Sequence, residues 1–357
     1  MPKTILIMAG GTGGHVFPGL AVADELRDRG WNVVWMGSRG GMEARLVPAR
    51  GYRMAWIHAR ALRGKGLLAK LLLPANLLLA FWDGARAIFA LRPDVVLGMG
   101  GYVAFPGGLM ASLLAKPLAI HEQNAVAGLT NRVLRGVADR AFEAFPGALK
   151  KAEWTGNPIR ADIARLPAPA TRYEGRSGPL KLLVVGGSLG AQALNEIVPR
   201  ALALIPAAER PRVVHQSGAQ HLIDLKARYA AAGVEGELLA FIEDMARSYA
   251  EADVVICRAG AITLAELCAA GMAGMLVPFP HAVDDHQTAN ARFLADKGAA
   301  ILLPQRELTP QKLAALLRSL DRPALVAMAQ KARDLGKPDA ARLVADRCAD
   351  LAEKGGG

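Results

Sequence analysis

Short apolar runs alternate with amphipathic stretches along the whole chain. The first half predicts strands at residues 4–8, 32–36, 53–57, 94–97, 117–121 and 140–144, with helices over 19–29, 42–50, 67–91, 105–115 and 126–136 between them. Apolar runs of this length without polar alternation suit strands buried on both faces, and strands separated by helices imply a parallel sheet covered on both sides. The pattern breaks near Gly156-Asn157-Pro158-Ile159-Arg160. Residues 167–179 hold three prolines, two glycines and mixed charge, and read as a linker. Alternation restarts at 181–185. Later strands are expected at 212–215, 237–241, 253–257, 273–277 and 299–302. Helices are expected over 191–204, 220–232, 244–250, 263–270, 286–297, 309–320, 324–335 and 339–354. The fold class is α/β: two parallel-sheet halves of similar size, with ligands expected in a cleft at the carboxyl ends of the strands.

Where the first strand ends, the chain reads Gly10-Gly11-Thr12-Gly13-Gly14-His15-Val16-Phe17-Pro18-Gly19. Strand, glycine turn and helix bring backbone N–H groups and a positive helix end together, which suits an anion. The second half repeats the layout at Gly186-Gly187-Ser188-Leu189-Gly190-Ala191. The first loop is a weak dinucleotide signal, because Val16 stands where the third glycine of G-x-G-x-x-G belongs. No acid ends the second strand, so the ribose ligand of an NAD site is missing and oxidoreductase chemistry is discounted. His15 at this turn either takes a proton from an attacking hydroxyl or serves a structural role.

A third glycine turn, Gly98-Met99-Gly100-Gly101-Tyr102, and the cluster His121-Glu122-Gln123-Asn124 also emerge from predicted strands. Ser188 can offer a hydroxyl and an N–H to phosphate, or cap its helix. Thr263-x-x-Glu266 satisfies a capping box, which competes with a ribose-binding role for Glu266. No D-x-D carboxylate pair occurs, so helix ends, Arg160 and Ser188 would neutralise a diphosphate. No metal and no cofactor are expected.

The chain has 357 residues, 52% of them hydrophobic, enough for two cores. A net charge of +11 favours an anionic partner. The basic residues are dispersed and aromatics make up only 5%, which disfavours nucleic acid. Three cysteines without a C-x-x-C fit a reducing compartment. No signal peptide or 18-residue apolar run is present. The leucine-rich segment 67–82, flanked by Arg and Lys and ending in Phe81-Trp82, is either a core helix or an interfacial one.

The glycine loops, His121-Glu122-Gln123-Asn124, Gly156-Asn157-Pro158-Ile159-Arg160, Arg258-Ala259-Gly260-Ala261 and Asp285-His286-Gln287 occur in one order over nearly the whole chain. In this they resemble the MurG family of bacterial UDP-N-acetylglucosamine:lipid I N-acetylglucosaminyltransferases. The resemblance implies a GT-B fold of two Rossmann-like domains. Residues 1–157 would form an acceptor and membrane domain and 158–336 a UDP-GlcNAc domain, with a last helix, about 337–354, packing back on the first. It implies inverting transfer of GlcNAc from UDP-GlcNAc to the MurNAc C4 hydroxyl of lipid I, giving lipid II.

Carried over by motif, Thr12, Gly13 and Gly14 would touch the sugar or diphosphate and Asn124 the GlcNAc. Arg160 and Ser188 would serve the UDP phosphates, and Ile242 would bind uracil through its backbone. Ala261, Ile262, Thr263, Leu264, Ala265 and Glu266 would hold phosphate and ribose, and Gln287 the GlcNAc hydroxyls. The chain departs from the family pattern at Leu189 and in the order of residues after Ala261. His15 is the candidate base. A lipid acceptor also favours an anionic membrane surface as partner of Leu67, Leu68, Leu71, Leu72, Leu78, Phe81 and Trp82, at the cytoplasmic face of the bacterial plasma membrane, beside cell-wall synthesis partners. The nearest rival is a GT-B UDP-sugar transferase acting on diacylglycerol.

Overall fold

The computed structural model describes residues 2–59, 73–187 and 190–354. Its contacts divide into two units, Met1–Arg160 with Pro338–Gly357, and Ala161–Lys337.

The first unit carries a seven-stranded sheet. Its strands are β1 (Thr4–Met8), β2 (Asn32–Gly37), β3 (Arg53–Trp56), β4 (Val95–Gly98), β5 (Leu118–Glu122), β6 (Arg140–Glu143) and β7 (Glu153–Trp154). The order is β3-β2-β1-β4-β5-β6-β7 and every pairing is parallel. Along β1 the side chains alternate between two cores. Ile5 and Ile7 join Trp35, Leu97 and Val344 on one face, and Leu6 and Met8 join Met36, Val96 and Ile88 on the other. The helix Ala340–Lys354 belongs to this unit. It buries Val344, Ala345 and Cys348, and Arg347 grips Glu153 with two nitrogens at 2.9–3.0 Å.

The second unit carries a six-stranded sheet. Its strands are β8 (Lys181–Val185), β9 (Arg212–Gln216), β10 (Glu237–Leu239), β11 (Val254–Cys257), β12 (Gly274–Leu276) and β13 (Ala300–Leu302). The order is β10-β9-β8-β11-β12-β13, again all parallel. Both sheets therefore reverse direction next to their first strand, between β1 and β4 and between β8 and β11. Open α/β sheets bind ligands at such switch points, beyond the carboxyl ends of the strands.

Two expectations change. β7 is only two residues long, too short to leave a periodic signal. Residues 167–179 are not a linker, because they fold into the second unit. The helix Pro169–Tyr173 buries Tyr173 in the core, and the Arg172 guanidinium donates to the carbonyls of Pro167, Tyr249, Ala270 and Gly271. The Tyr173 hydroxyl donates to the Asp253 carbonyl. Apart from Pro167, these partners lie far away in sequence, so local composition misleads.

The helix Leu73–Leu91 packs closely on Ala104–Leu113, where a Cβ on Gly84 would lie 3.4 Å from Gly107 Cα. Its outer face shows Leu78 (70% exposed) and Trp82 (69%), while Phe81 is half-buried with its ring edge on Phe105. Leu67, Leu68, Leu71 and Leu72 lie outside the described residues. Among the described residues no helix is long and apolar enough to cross a membrane.

Candidate active site

Four helices begin after the strands that flank the switch points: Gly13–Asp28 after β1, Ala104–Leu113 after β4, Gln192–Ala203 after β8 and Ala261–Ala270 after β11. None has a side-chain cap or an acid in its first turn. Some helices elsewhere in the second unit do, although His286–Ala295 has neither. Asp244, Thr309 and Asp321 each accept an N–H from their own first turn. A helix start without a capping side chain or a first-turn acid retains the positive potential of its dipole there.

In the first unit, Thr12 turns its hydroxyl toward His15, with Oγ1 and Nδ1 3.1 Å apart. If Nδ1–H donates to that oxygen, Nε2 is the acceptor nitrogen. Gly100 borders the ring, where a Cβ would stand 3.2 Å from Nε2. The Gly11 N–H does not wait for a ligand. It donates to Glu43 Oε2 at 3.1 Å, while Glu43 Oε1 accepts from Ser38 N at 3.0 Å and Ser38 Oγ at 2.9 Å. The Tyr102 hydroxyl completes the chain on Ser38 at 2.8 Å. Burial raises the Tyr102 pKa, the Ser38 bond opposes that rise, and the Glu43 charge adds to it.

The polar cluster after β5 is mostly structural. His121 is fully buried and donates from Nε2 to the Gly156 carbonyl at 2.9 Å, so Nδ1 accepts from Gln123. Burial pulls its pKa down to about 4, against the smaller raising effects of that carbonyl and of Glu122. Glu122 accepts the N–H groups of Asn124 and Gly128 and the Asn131 amide. Asn124 is half-buried at the rim and Arg160 half-buried at the end of the unit. Among the described residues no group of three or more His, Cys, Asp or Glu is arranged to hold a metal ion.

In the second unit a cavity of about 710 Å3 opens beside the second glycine loop. Gly187, Gly190, Arg258, Gly260, Thr263 and Gln287 line it. Gly190 has to be glycine: its φ is +77° and a Cβ would stand 2.0 Å from the Ser217 carbonyl oxygen. Glu196 and His221 also line this cavity. Asn195 donates to Ser217 O, which leaves its oxygen for His215 Nε2–H, and His215 Nδ1 takes the Tyr229 hydroxyl. Burial lowers the His215 pKa to about 3. Arg258 donates to the carbonyls of Val277 and Pro278 and lies over the Phe279 ring. Gln287 accepts the Phe279 N–H through Oε1, which orients its amide.

Several predicted residues fall elsewhere. Ser188 lies outside the described residues. Leu264 has nothing to offer a ligand, because its side chain is buried and its N–H donates to Gly260 O. The helix starts at Ala261 with Gly260 as N-cap, so Thr263 is inside it and the capping-box explanation of Glu266 fails. Glu266 is buried and accepts the Tyr249 hydroxyl at 3.1 Å. Ile242 borders a different hollow of about 810 Å3, with Phe241 and Arg247. Glu43 and Ser38 belong to no motif legible in the sequence, and only the fold brings them to the first glycine loop.

The chain matches the glycosyltransferase family 28 N-terminal domain over residues 5–143 and the family 28 C-terminal domain over 181–344. A protein of Aromatoleum aromaticum is 65% identical over 98% of this chain and 98% of its own length. One of Dechloromonas aromatica is 60% identical over 99% and 100%. Both are named UDP-N-acetylglucosamine–N-acetylmuramyl-(pentapeptide) pyrophosphoryl-undecaprenol N-acetylglucosamine transferase. The crystal structure of Acinetobacter baumannii MurG superposes with a TM-score of 0.85 at 44% identity, over 98% of this chain and 100% of that one. The calicheamicin glycosyltransferase CalG4, 17% identical with a TM-score of 0.67, shares the GT-B fold.

Proposed function

The chain belongs to glycosyltransferase family 28, and from that premise we propose that it transfers GlcNAc from UDP-GlcNAc to the MurNAc C4 hydroxyl of lipid I, forming lipid II. The observation that carries this reading is full-length identity of 58–65% to relatives bearing that name.

The chemistry follows from the helix ends and the histidine. The acceptor hydroxyl attacks the anomeric carbon, and the bond to the UDP oxygen breaks on the opposite face, which inverts the centre. His15 takes the hydroxyl proton. The departing diphosphate carries negative charge that the uncapped helix starts at Gln192 and Ala261 stabilise, together with Ser188 and Arg160. Glu266 holds the ribose diol, Ile242 the uracil, and Asn124 and Gln287 the GlcNAc. Thr12, Gly13 and Gly14 face the acceptor's diphosphate. Leu78 and Trp82, exposed on a helix that is not both long and apolar enough in its described residues to cross a membrane, support peripheral docking on an anionic bilayer. With a lipid I acceptor that bilayer would be the plasma membrane at its cytoplasmic face, beside other cell-wall enzymes.

The test is incubation with UDP-GlcNAc and either lipid I or diacylglycerol, scoring UDP release and the lipid product. Lipid II formed only from lipid I is the expected result. Sugar transfer to diacylglycerol alone would reassign the acceptor.

A further inference from the structure

Three glycines near the first loop have no room for a side chain, for a reason unrelated to backbone freedom. A Cβ would stand 2.6 Å from Glu43 Oε1 on Gly10, 2.7 Å from Glu43 Cγ on Gly37, and 2.1 Å from Glu43 Oε2 on Gly41. None of the three has a positive φ. What they have in common is the Glu43 side chain, which begins the Glu43–Ala49 helix and is 0% exposed. A buried carboxylate is costly unless its oxygens are paired, and here three donors pair them.

The carboxylate reaches His15 by two routes. One runs through the Gly11 N–H to Thr12, whose hydroxyl meets His15 Nδ1. The other runs through Ser38. Its hydroxyl gives its proton to Glu43 and so accepts the Tyr102 hydroxyl. The Tyr102 ring lies against Gly11, and Gly100 and Gly101 lead from Tyr102 back to the His15 ring.

We propose that Glu43 is a positioning residue for the transfer: it seats the 10–12 backbone and thereby sets the His15 imidazole. This rests on the role given to His15 above. The Glu43 carboxylate takes the place an anion would occupy at Gly11 N–H, so the loop is preset before any substrate arrives.

Glu43→Gln keeps the volume but turns an NH2 group against either the Gly11 or the Ser38 N–H, donor facing donor. In full-length protein that still folds, kcat should fall by about tenfold or more while the UDP-GlcNAc KM stays within about twofold. Gly41→Ala crowds the carboxylate without removing it and should give the same split. The double variant should be no worse than the more damaged single one, since both act on one contact set. In histidine-labelled protein the His15 ring signals, assigned by their loss in His15→Gln, should shift in each variant. Unchanged kcat with unchanged His15 signals overturns the proposal, as does a loss confined to the donor KM. Should Glu43→Gln fail to fold, Ser38→Ala decides: a parent-like kcat and parent-like His15 signals reject the role. Shifted His15 signals in a parent that makes no lipid II would uphold the positioning and remove the transferase reading instead.

Discussion

The two glycine loops share a topology and differ in what fills them. The first, after β1, is packed from within. Glu43 holds Gly11, Thr12 pairs with His15, and Tyr102 closes the side. The second, after β8, opens on a cavity of about 710 Å3 lined by Arg258, Thr263 and the start of the Ala261–Ala270 helix. Strand–glycine–helix is therefore a frame and not a ligand code. In the first loop a protein carboxylate already takes the Gly11 N–H, whereas the second loop borders an open cavity whose lining includes the carboxylate Glu196.

The sharpest break of that comparison is at its two extremes. His15→Ala should lower kcat by about 10²- to 10⁴-fold with UDP-GlcNAc affinity unchanged, measured by steady-state kinetics and donor titration. Parent-like turnover would leave the histidine a purely structural part. Gly190→Ala should do the opposite. A methyl group 2.0 Å from the Ser217 carbonyl forces the second loop to move, and the φ of +77° adds strain of about 1–3 kcal/mol. The donor KM should rise about tenfold or more, with a smaller change in kcat on saturation. An unchanged donor KM would show that the loop does not bind the donor. Next in size is Glu266→Ala. A ribose contact predicts a donor KM raised by about tenfold, whereas a carboxylate that only pairs with Tyr249 predicts lost stability and an unchanged KM.

Much of this frame is legible in the sequence, because strands buried on both faces leave uninterrupted apolar runs such as residues 4–8 and 181–185. The glycine turns are legible for the same reason, standing where those runs stop. What is not legible depends on partners distant in the chain. Glu43 reads as an ordinary acid at a helix start, and only the fold brings Ser38, Gly11 and Gly41 around it. Arg172 reads as linker charge until Ala270 and Gly271 present their carbonyls. The start of the Ala261–Ala270 helix is hidden because Gly260 carries no capping side chain, so Thr263 looked like the first capping residue.

Each unit also buries one neutral histidine at a strand end, and acid should probe both. His121 titrates at about 4 and His215 at about 3 when folded, against about 6.5 when unfolded. Below pH 6.5 the unfolded chain binds protons that the folded one refuses. Stability is therefore fully present above that pH and falls as the pH drops toward 4 for His121 and toward 3 for His215. The slope is at most about 1.4 kcal/mol per pH unit for each histidine. Urea midpoints of the two units between pH 7 and 5 would show it, and His215→Gln should flatten the slope of the second unit only. Equal slopes in parent and variant would assign the acid sensitivity to other groups.

The smallest effect tests the comparison most directly, because it asks whether the second site is open by design. Gly260 has φ −66° and ψ 137°, the extended geometry of an ordinary N-cap, and a Cβ there would meet only Thr263 Oγ1 at 3.7 Å. Aspartate fits this position. It would accept an N–H of the first turn and set a negative charge at the positive helix end, as Asp321 does for the Arg322–Asp334 helix. Gly260→Asp should therefore stabilise the fold by a few tenths of a kcal/mol, since glycine is already a tolerable N-cap. Asp321→Ala should cost about 1 kcal/mol. On binding the two should separate. The new carboxylate would compete with the donor's phosphates and weaken UDP affinity, while loss of Asp321 should leave it unchanged. Thermal unfolding and UDP titration of both variants measure the four quantities. If Gly260→Asp gained stability with no loss of UDP affinity, the missing N-cap side chain would be incidental to binding, and the phosphates would have to be held elsewhere.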